Sequence, residues 1–526
     1  MANCLAQHHY ITTQIQLPLN LEVTFKLSDE VITFHNLVKD VDFNQFFIKK
    51  NAYDTETRGR KPKSRANILK AILFAFSLGI KSTREIEDLC KHDTRFMFLL
   101  DQIDPPSHTT INQVINSLIY NIDDVLIEIN QRIINYDQEV NPNIVYIDGT
   151  KLEANANKYT FVWKKAILKF KDKLIQKIIR YLPRLNEVLV NHNYLMIDAK
   201  DNYSTDELLT ILIQLKQIIN QEGISFVYGK GKRKEELQRL FDVFEEYYQK
   251  MVEYKHHLEI IGERRNSYSK TDKDATFMRM KDDHMRNGQL KAGYNIQIAV
   301  ANEYIMAIEL YQDRNDFATF IPFLKHYHQL YGFYPRFPVA DSGYGCFTNY
   351  KFCLENDMEL YQKYTMYSKE KEPKYQKNPF NKINFKKDEE GNYICPNNKK
   401  LLFVFEKKMK HTLNNEQIKV YRCNECSDCP LKEKCTQSKV GRTIQVSEEY
   451  ERQKQIVRDN LGSEMGIQLR VNRSIQVEGA FGVMKENMGY RRFTRRTKAR
   501  AKLEATLVAI GMNISKFHNK LYRNVQ

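Results

Sequence analysis

Tryptophan is almost missing from this 526-residue chain, which has one, Trp163. Glycine (20) and proline (13) are sparse, which excludes collagen-like and low-complexity architectures. Long hydrophobic runs are also lacking. The longest, Ala71 to Ile80, is broken by Ser77. A membrane span needs about 20 apolar residues, so this stretch reads as a buried helix and no membrane partner is expected. The opening residues, Met1 to His9, do not show the basic-then-apolar order of a secretory signal. The expected place is therefore the cytoplasm. Cysteine is scarce and odd in number, nine, and four of the nine crowd into Cys423 to Cys435. That pattern speaks against a disulfide framework and for free thiols with a metal site.

Positive charge is what the chain has in excess. Lys plus Arg is 81 and Asp plus Glu is 65, a net +16, which favours a polyanionic partner. Hydrophobic residues at 42% and aromatics at 12% suffice for several packed cores and exclude wholesale disorder.

Residues 1–138 read as an all-helical module. It contains a basic loop, Gly59-Arg60-Lys61-Pro62-Lys63, and two capping boxes, at Ser82-Thr83-Arg84-Glu85 and Thr110-Ile111-Asn112-Gln113. Residues 139–364 read as an α/β core. Ile144-Val145-Tyr146-Ile147 is an apolar strand ending in Asp148-Gly149. Tyr294 to Val300 alternates and forms a hairpin with Tyr304 to Leu310. Phe337 to Ala340 is a second apolar strand, ending in Asp341, and Glu359 to Tyr364 is the last strand. Between them, about 164–270 is rich in Lys, Glu, Leu and Ile and predicts long inserted helices in the form of a helical hairpin. Residues 365–445, poor in aliphatics, form a Cys-containing insert, and 446–526 is a helical tail.

Asp148 and Asp341 end strands, and Glu478 sits on a segment with helical apolar spacing (Val477, Phe481, Met484, Met488). Lys485 is two turns further on, close to the face of Glu478. Three carboxylates brought together need cations to stay ionised. Mg²⁺ (or Mn²⁺) suits them, being hard and content with a few carboxylates plus water. Two such ions can activate an attacking oxygen and stabilise the leaving oxygen of a phosphodiester. Taken singly, each acid reads equally as a turn, a cap or a surface residue; the joint pattern carries the assignment.

That pattern resembles the DDE transposases of bacterial insertion sequences. The resemblance rests on Tyr146-Ile147-Asp148-Gly149-Thr150-Lys151, on Ala340-Asp341-Ser342-Gly343-Tyr344-Gly345, and on Val477-Glu478-Gly479-Ala480-Phe481-Gly482 with Lys485. It implies a ribonuclease H-like catalytic core interrupted by the helical and Cys-containing inserts and preceded by the all-α N-terminal domain. Asp148 would close the first strand and Asp341 the fourth, with Glu478 on a following helix, and the three acids would hold the metal. It implies double-stranded DNA as partner (terminal inverted repeats and target), a nucleoid-associated protein and a homo-oligomer. Lys485 matches the Lys of the family's Tyr-Arg-Glu-Lys signature. The signature's Arg and Tyr positions fall on Ser474 and Val471, with Arg473 one residue off.

Arg473, Arg491, Arg492, Arg495, Arg496 and Lys498, with Arg60 and Lys61, are the candidate phosphate contacts. Cys426, Cys429 and Cys435 with Cys423 are candidates for a structural zinc ion, with Cys395 as a fifth thiol. Trp163 suits either base stacking or a packing anchor. His108, His284 and His326 lack paired spacing and read as structural. The same residues also suit a structure-specific nuclease, or a DNA-binding derivative without catalysis.

Overall fold

The computed structural model describes residues 24–47, 64–101, 104–229, 231–280, 288–408 and 416–522. Arg60, Lys61 and His284 lie outside the described residues.

The core is a mixed sheet. Its strands are β1 (Ile144–Glu153), β2 (Leu290–Ala301), β3 (Tyr304–Tyr311), β4 (Phe337–Gly345) and β5 (Tyr361–Tyr364), in the order β3-β2-β1-β4-β5. β2 runs antiparallel to both its neighbours, while β4 is parallel to β1 and β5 to β4. A short strand, Thr276–Arg279, pairs with the start of β2. The β2–β3 hairpin turns on Asn302 and Glu303, both at positive φ (46° and 71°), the two-residue geometry that follows strand twist. Glu303 is an unusual residue there, and its surroundings hold it. Its N–H donates to Gln476 Oε1 at 3.0 Å and its carboxylate pairs with Lys516 at 3.1 Å.

Neither acid ends its strand, contrary to the reading of Asp-Gly as a terminator. β1 continues past Asp148 because its ladder with β2 runs on to Glu153↔Gly293. β4 continues to Gly345, which rejoins β5 at Tyr364. Asp148 thus lies on the first strand and Asp341 on the fourth, each in mid-strand.

The described N-terminal residues are helical, from Glu30–Val38 to Ile122–Tyr136. The helix expected to open at Thr110 opens at His108 instead. Ser107, directly after Pro105-Pro106, is the cap and accepts Thr110 N–H at 3.3 Å. These helices, the sheet and the C-terminal helix Lys498–Tyr522 bury one continuous apolar cluster. The core therefore has no break at residue 138. Gly511 marks the closest crossing: a Cβ there would lie 2.4 Å from the Phe76 carbonyl oxygen. Inside the seam, Asn513 donates to Asn130 Oδ1 and to the Ile305 carbonyl, both at 2.8 Å, which satisfies polar groups where water is absent.

The first insert holds three helices, Lys164–Asn191, Thr205–Gln221 and Glu236–Ile261, rather than a hairpin. They bury their own cluster, including Ile178, Leu185, Leu208 and Phe244. A two-stranded ribbon, Phe161–Trp163 against Ser267–Ser269, joins them to the sheet. Trp163 packs against Phe161 and Phe277, each at 6.0 Å between ring centroids, the anchor arrangement of the two considered. The Cys-containing insert is a five-stranded sheet with a small core around Tyr421, Cys423 and Ile444. It leads to the helices Glu448–Gly462 and Glu464–Gly482.

Candidate active site

β1 and β4 pair from Ile144↔Phe337 to Ile147↔Ala340 and then part. Asp148 and Asp341 are the next residue on each strand. They sit in the crevice that opens beyond the carboxyl ends of parallel strands, where α/β sheets place their ligands. One oxygen of each acid is tied locally: Asp148 Oδ1 accepts Gly149 N–H at 2.8 Å, and Asp341 Oδ1 accepts Gly343 N–H at 2.7 Å. The other oxygens face one guanidinium. Arg473 Nη2 lies 3.3 Å from Asp148 Oδ2 and 3.6 Å from Asp341 Oδ2. The Nε of Arg473 is buried without a hydrogen-bond partner among the described residues.

Arg473 is carried by the Glu464–Gly482 helix, which Ser463 caps by accepting Gly466 N–H at 3.0 Å. At about 100° per residue, the buried Leu469, Val477 and Ala480 lie within about 40° of Arg473. Glu478 lies about 140° away and is exposed. The structure therefore brings Asp148, Asp341 and Arg473 together and turns Glu478 outward on the same helix. Lys485 is half-buried in a π-helical turn, Val483–Asn487, so α-helical spacing no longer relates it to Glu478. π turns inside helices often accompany function.

Several residues here were not singled out by sequence. Asp316, in a 3₁₀ turn after β3, accepts from Asn295 Nδ2 at 2.8 Å and Gln297 Nε2 at 3.0 Å. Tyr344 donates to Gln297 Oε1 at 2.5 Å. Burial holds the Tyr344 hydroxyl far above the usual tyrosine range, with Asp316, Asp148 and Asp341 adding to that shift and Arg473 opposing it. Lys363, on β5, has its pKa lowered by burial and by the neighbouring Arg470 and Arg473, against the pull of Asp341. The acids are thus rimmed by Lys363, Arg470 and Arg473.

The comparisons with known families match both ends of the chain. Residues 394–518 match a family described as "Transposase DDE domain", and residues 24–117 match "Transposase domain (DUF772)". Both matched segments are thus similar to domains of transposases, the DDE type at the C-terminal end. No curated protein and no solved structure shows significant similarity to it. Glu478 and Lys485 fall inside the matched DDE segment, whereas Asp148 and Asp341 lie between the two matches. DNA is the substrate that such domains imply.

The chain uses much of its C-terminal arginine run internally. Arg495 donates to Asn116 Oδ1 at 2.6 Å and Asn112 Oδ1 at 2.8 Å, tying the tail to the N-terminal helices. Arg492 and Arg496 donate to the carbonyls of Ala156 and Asn155, both at 3.1 Å. Arg491 pairs with Glu486, and Lys498 stands 3.6 Å from Glu309. Charge count alone could not reveal these acceptors.

Cys395, Cys423, Cys426, Cys429 and Cys435 line one small cavity of about 20 Å³. N–H groups reach three of the sulfurs at 3.4 Å: Lys399 to Cys395, Asn397 to Cys429 and Arg442 to Cys426. Yet among the described residues no three His, Cys, Asp or Glu side chains are gathered to hold a metal. The zinc set expected from Cys423, Cys426, Cys429 and Cys435 is not assembled. Cys423 is part of the apolar core, where burial, with Cys426 and Cys395 nearby, raises its thiol to about 11. Burial raises Cys435 as well.

Proposed function

We propose that the chain cuts DNA at the ends of a mobile element and joins the freed 3′-hydroxyls to target DNA, using Mg²⁺ or Mn²⁺. The observation that carries this reading is the pair of carboxylates at the parting strands with one shared cation, Arg473. Close carboxylates stay ionised only beside positive charge. Among the described residues, one nitrogen of Arg473 serves both acids and its Nε has no hydrogen-bond partner. The residues therefore fit a divalent ion in place of the guanidinium.

Asp148, Asp341 and Glu478 would hold that ion. When bound, it activates the attacking oxygen and stabilises the leaving oxygen of a phosphodiester. Lys485, Lys363 and Arg470 supply positive charge for the DNA backbone. Glu478 faces outward and would join the set only by a turn of its helix. Two DNA ends handled together call for two copies of the chain.

The test is cleavage and joining with cognate ends in Mg²⁺. Pre-cut ends bearing a 3′-hydroxyl should be joined to target DNA, and Asp341→Asn should abolish both steps while DNA binding stays within about twofold. Full cleavage by Asp341→Asn would remove that acid from the site.

A further inference from the structure

Resting on that reading, we infer that Asp316 is a positioning residue that aims the acid pair through Gln297. The sequence gives no local sign of this role, since Asp316 follows β3 in a short turn. The fold delivers it to the back of the pair. Gln297 is fully buried and pairs across the ladder with Gly149, the residue after Asp148. Its Nε2 donates to Asp316 Oδ1 and to Asn295 Oδ1, at 3.0 and 3.1 Å, and its Oε1 accepts from Tyr344, three residues after Asp341.

Both catalytic strands are thus clamped just beyond their acids by one amide. The fit leaves no slack. A Cβ on Gly149 would stand 2.2 Å from Gln297 Nε2 and 2.9 Å from Asp316 Oδ1, and a Cβ on Gly343 would stand 3.0 Å from Asp341 Oδ1. Gly149 and Gly343 are also the residues whose N–H groups hold Asp148 Oδ1 and Asp341 Oδ1. The 3₁₀ turn is itself braced, as Asn349 Nδ2 donates to the Phe317 carbonyl at 3.2 Å and to the Tyr344 carbonyl at 2.8 Å. Asp316 fixes the amide orientation of Gln297: an acid in that place admits only the nitrogen, which leaves the oxygen for Tyr344. Without it the amide is free to flip, and the spacing of Asp148 and Asp341 loosens.

A misplacement near 1 Å at reacting groups can reduce rate about a hundredfold. The experiment measures cleavage of cognate DNA ends by the full chain against Mg²⁺ concentration, with DNA affinity and unfolding midpoint measured in parallel. Asp316→Ala should lower the rate at saturating DNA by about tenfold to a hundredfold and raise the Mg²⁺ concentration for half-maximal rate, with DNA affinity unchanged. Asp316→Asn, which can still accept through its oxygen, should recover most of the rate, and Tyr344→Phe should shift the Mg²⁺ requirement in the same direction. Asp316→Asn as inactive as Asp316→Ala would overturn the inference, because the charge itself would then be needed. An unchanged Mg²⁺ requirement with only a lowered midpoint would overturn it too, by assigning a purely structural role. If the unaltered chain shows no metal-dependent cleavage, the functional reading fails. If it cleaves, Asp341→Asn is dead and Asp316→Ala is normal, only the present inference fails.

Discussion

Arg473 and a divalent ion should compete for the same two carboxylates. Arg473→Gln removes the guanidinium 3.3 Å from Asp148 and 3.6 Å from Asp341. Coulomb's law at an effective dielectric of 20 gives about 5 kcal/mol for each contact before desolvation. Most of that is offset by stripping water from the ions. Asp341 is 43% exposed and Asp148 14%, so the first contact keeps under about 1 kcal/mol and the second between 1 and 2, roughly 2 kcal/mol together. A metal ion entering the unaltered site forfeits that amount, and in Arg473→Gln it does not. At about 1.4 kcal/mol per decade, the apparent affinity for Mn²⁺ should rise roughly thirtyfold. Mn²⁺ titration followed by electron paramagnetic resonance measures this without needing activity. Without metal the variant should unfold at a lower temperature than the unaltered chain, and saturating Mn²⁺ should close that gap. Equal or weaker Mn²⁺ binding by the variant would refute the argument that the guanidinium stands in for the ion.

Two further outcomes follow from buried contacts. Gly149→Ala forces a methyl to within 2.2 Å of Gln297 Nε2; overpacking of this kind costs about 1–3 kcal/mol, so the unfolding midpoint should drop, and a midpoint equal to the unaltered chain's would show that the clamp yields freely. His326 lies 3.8 Å from Asp123 and 3.9 Å from Glu309, with Lys502 and Lys498 facing the same cluster. Burial first, and then Lys502, lowers its pKa below 6.5. The unfolded chain then takes up the proton first, so stability should fall as pH drops below 6.5 and be unaffected by this group above it. His326→Gln should flatten unfolding midpoints between pH 7 and 5.5, while Glu309, whose own pKa is lowered from 4.5, acts below that window.

The strands bearing the acids were legible from their apolar runs, Ile144 to Ile147 and Phe337 to Ala340, although Asp148 and Asp341 do not end them. The three inserted helices were legible as helices but not as three, although Gly223, Gly229 and Gly231 punctuate the connection between the second and the third. Asn295 and Gln297 misled: their alternation with Tyr294, Ile296 and Ile298 suggests a solvent face, yet both are buried. Asp316 accepts from the amides of both, and no sequence period links that turn to β2. Asp148 and Asp341 were found as a pair. The outward aspect of Glu478 was not foreseen, because the helix starts at Glu464 and is set by Leu469, Val477 and Ala480 rather than by the stripe running from Val477 to Met488. The arginine run was read by charge, and the acceptors of Arg492, Arg495 and Arg496 include backbone carbonyls and asparagine amides from distant segments, which carry no charge to signal them.

The helical insert leaves the sheet and returns to it through adjacent strands, Phe161–Trp163 and Ser267–Ser269, closed by Lys164 N–H donating to the Asn266 carbonyl at 2.9 Å. Its apolar interior is separate from that of the catalytic body. It is a pendant with a narrow neck. Evolution can lengthen, trim or exchange such a body without retuning the chemistry beneath it, and a fluorophore placed there would report DNA arrival from a position that never touches the acids.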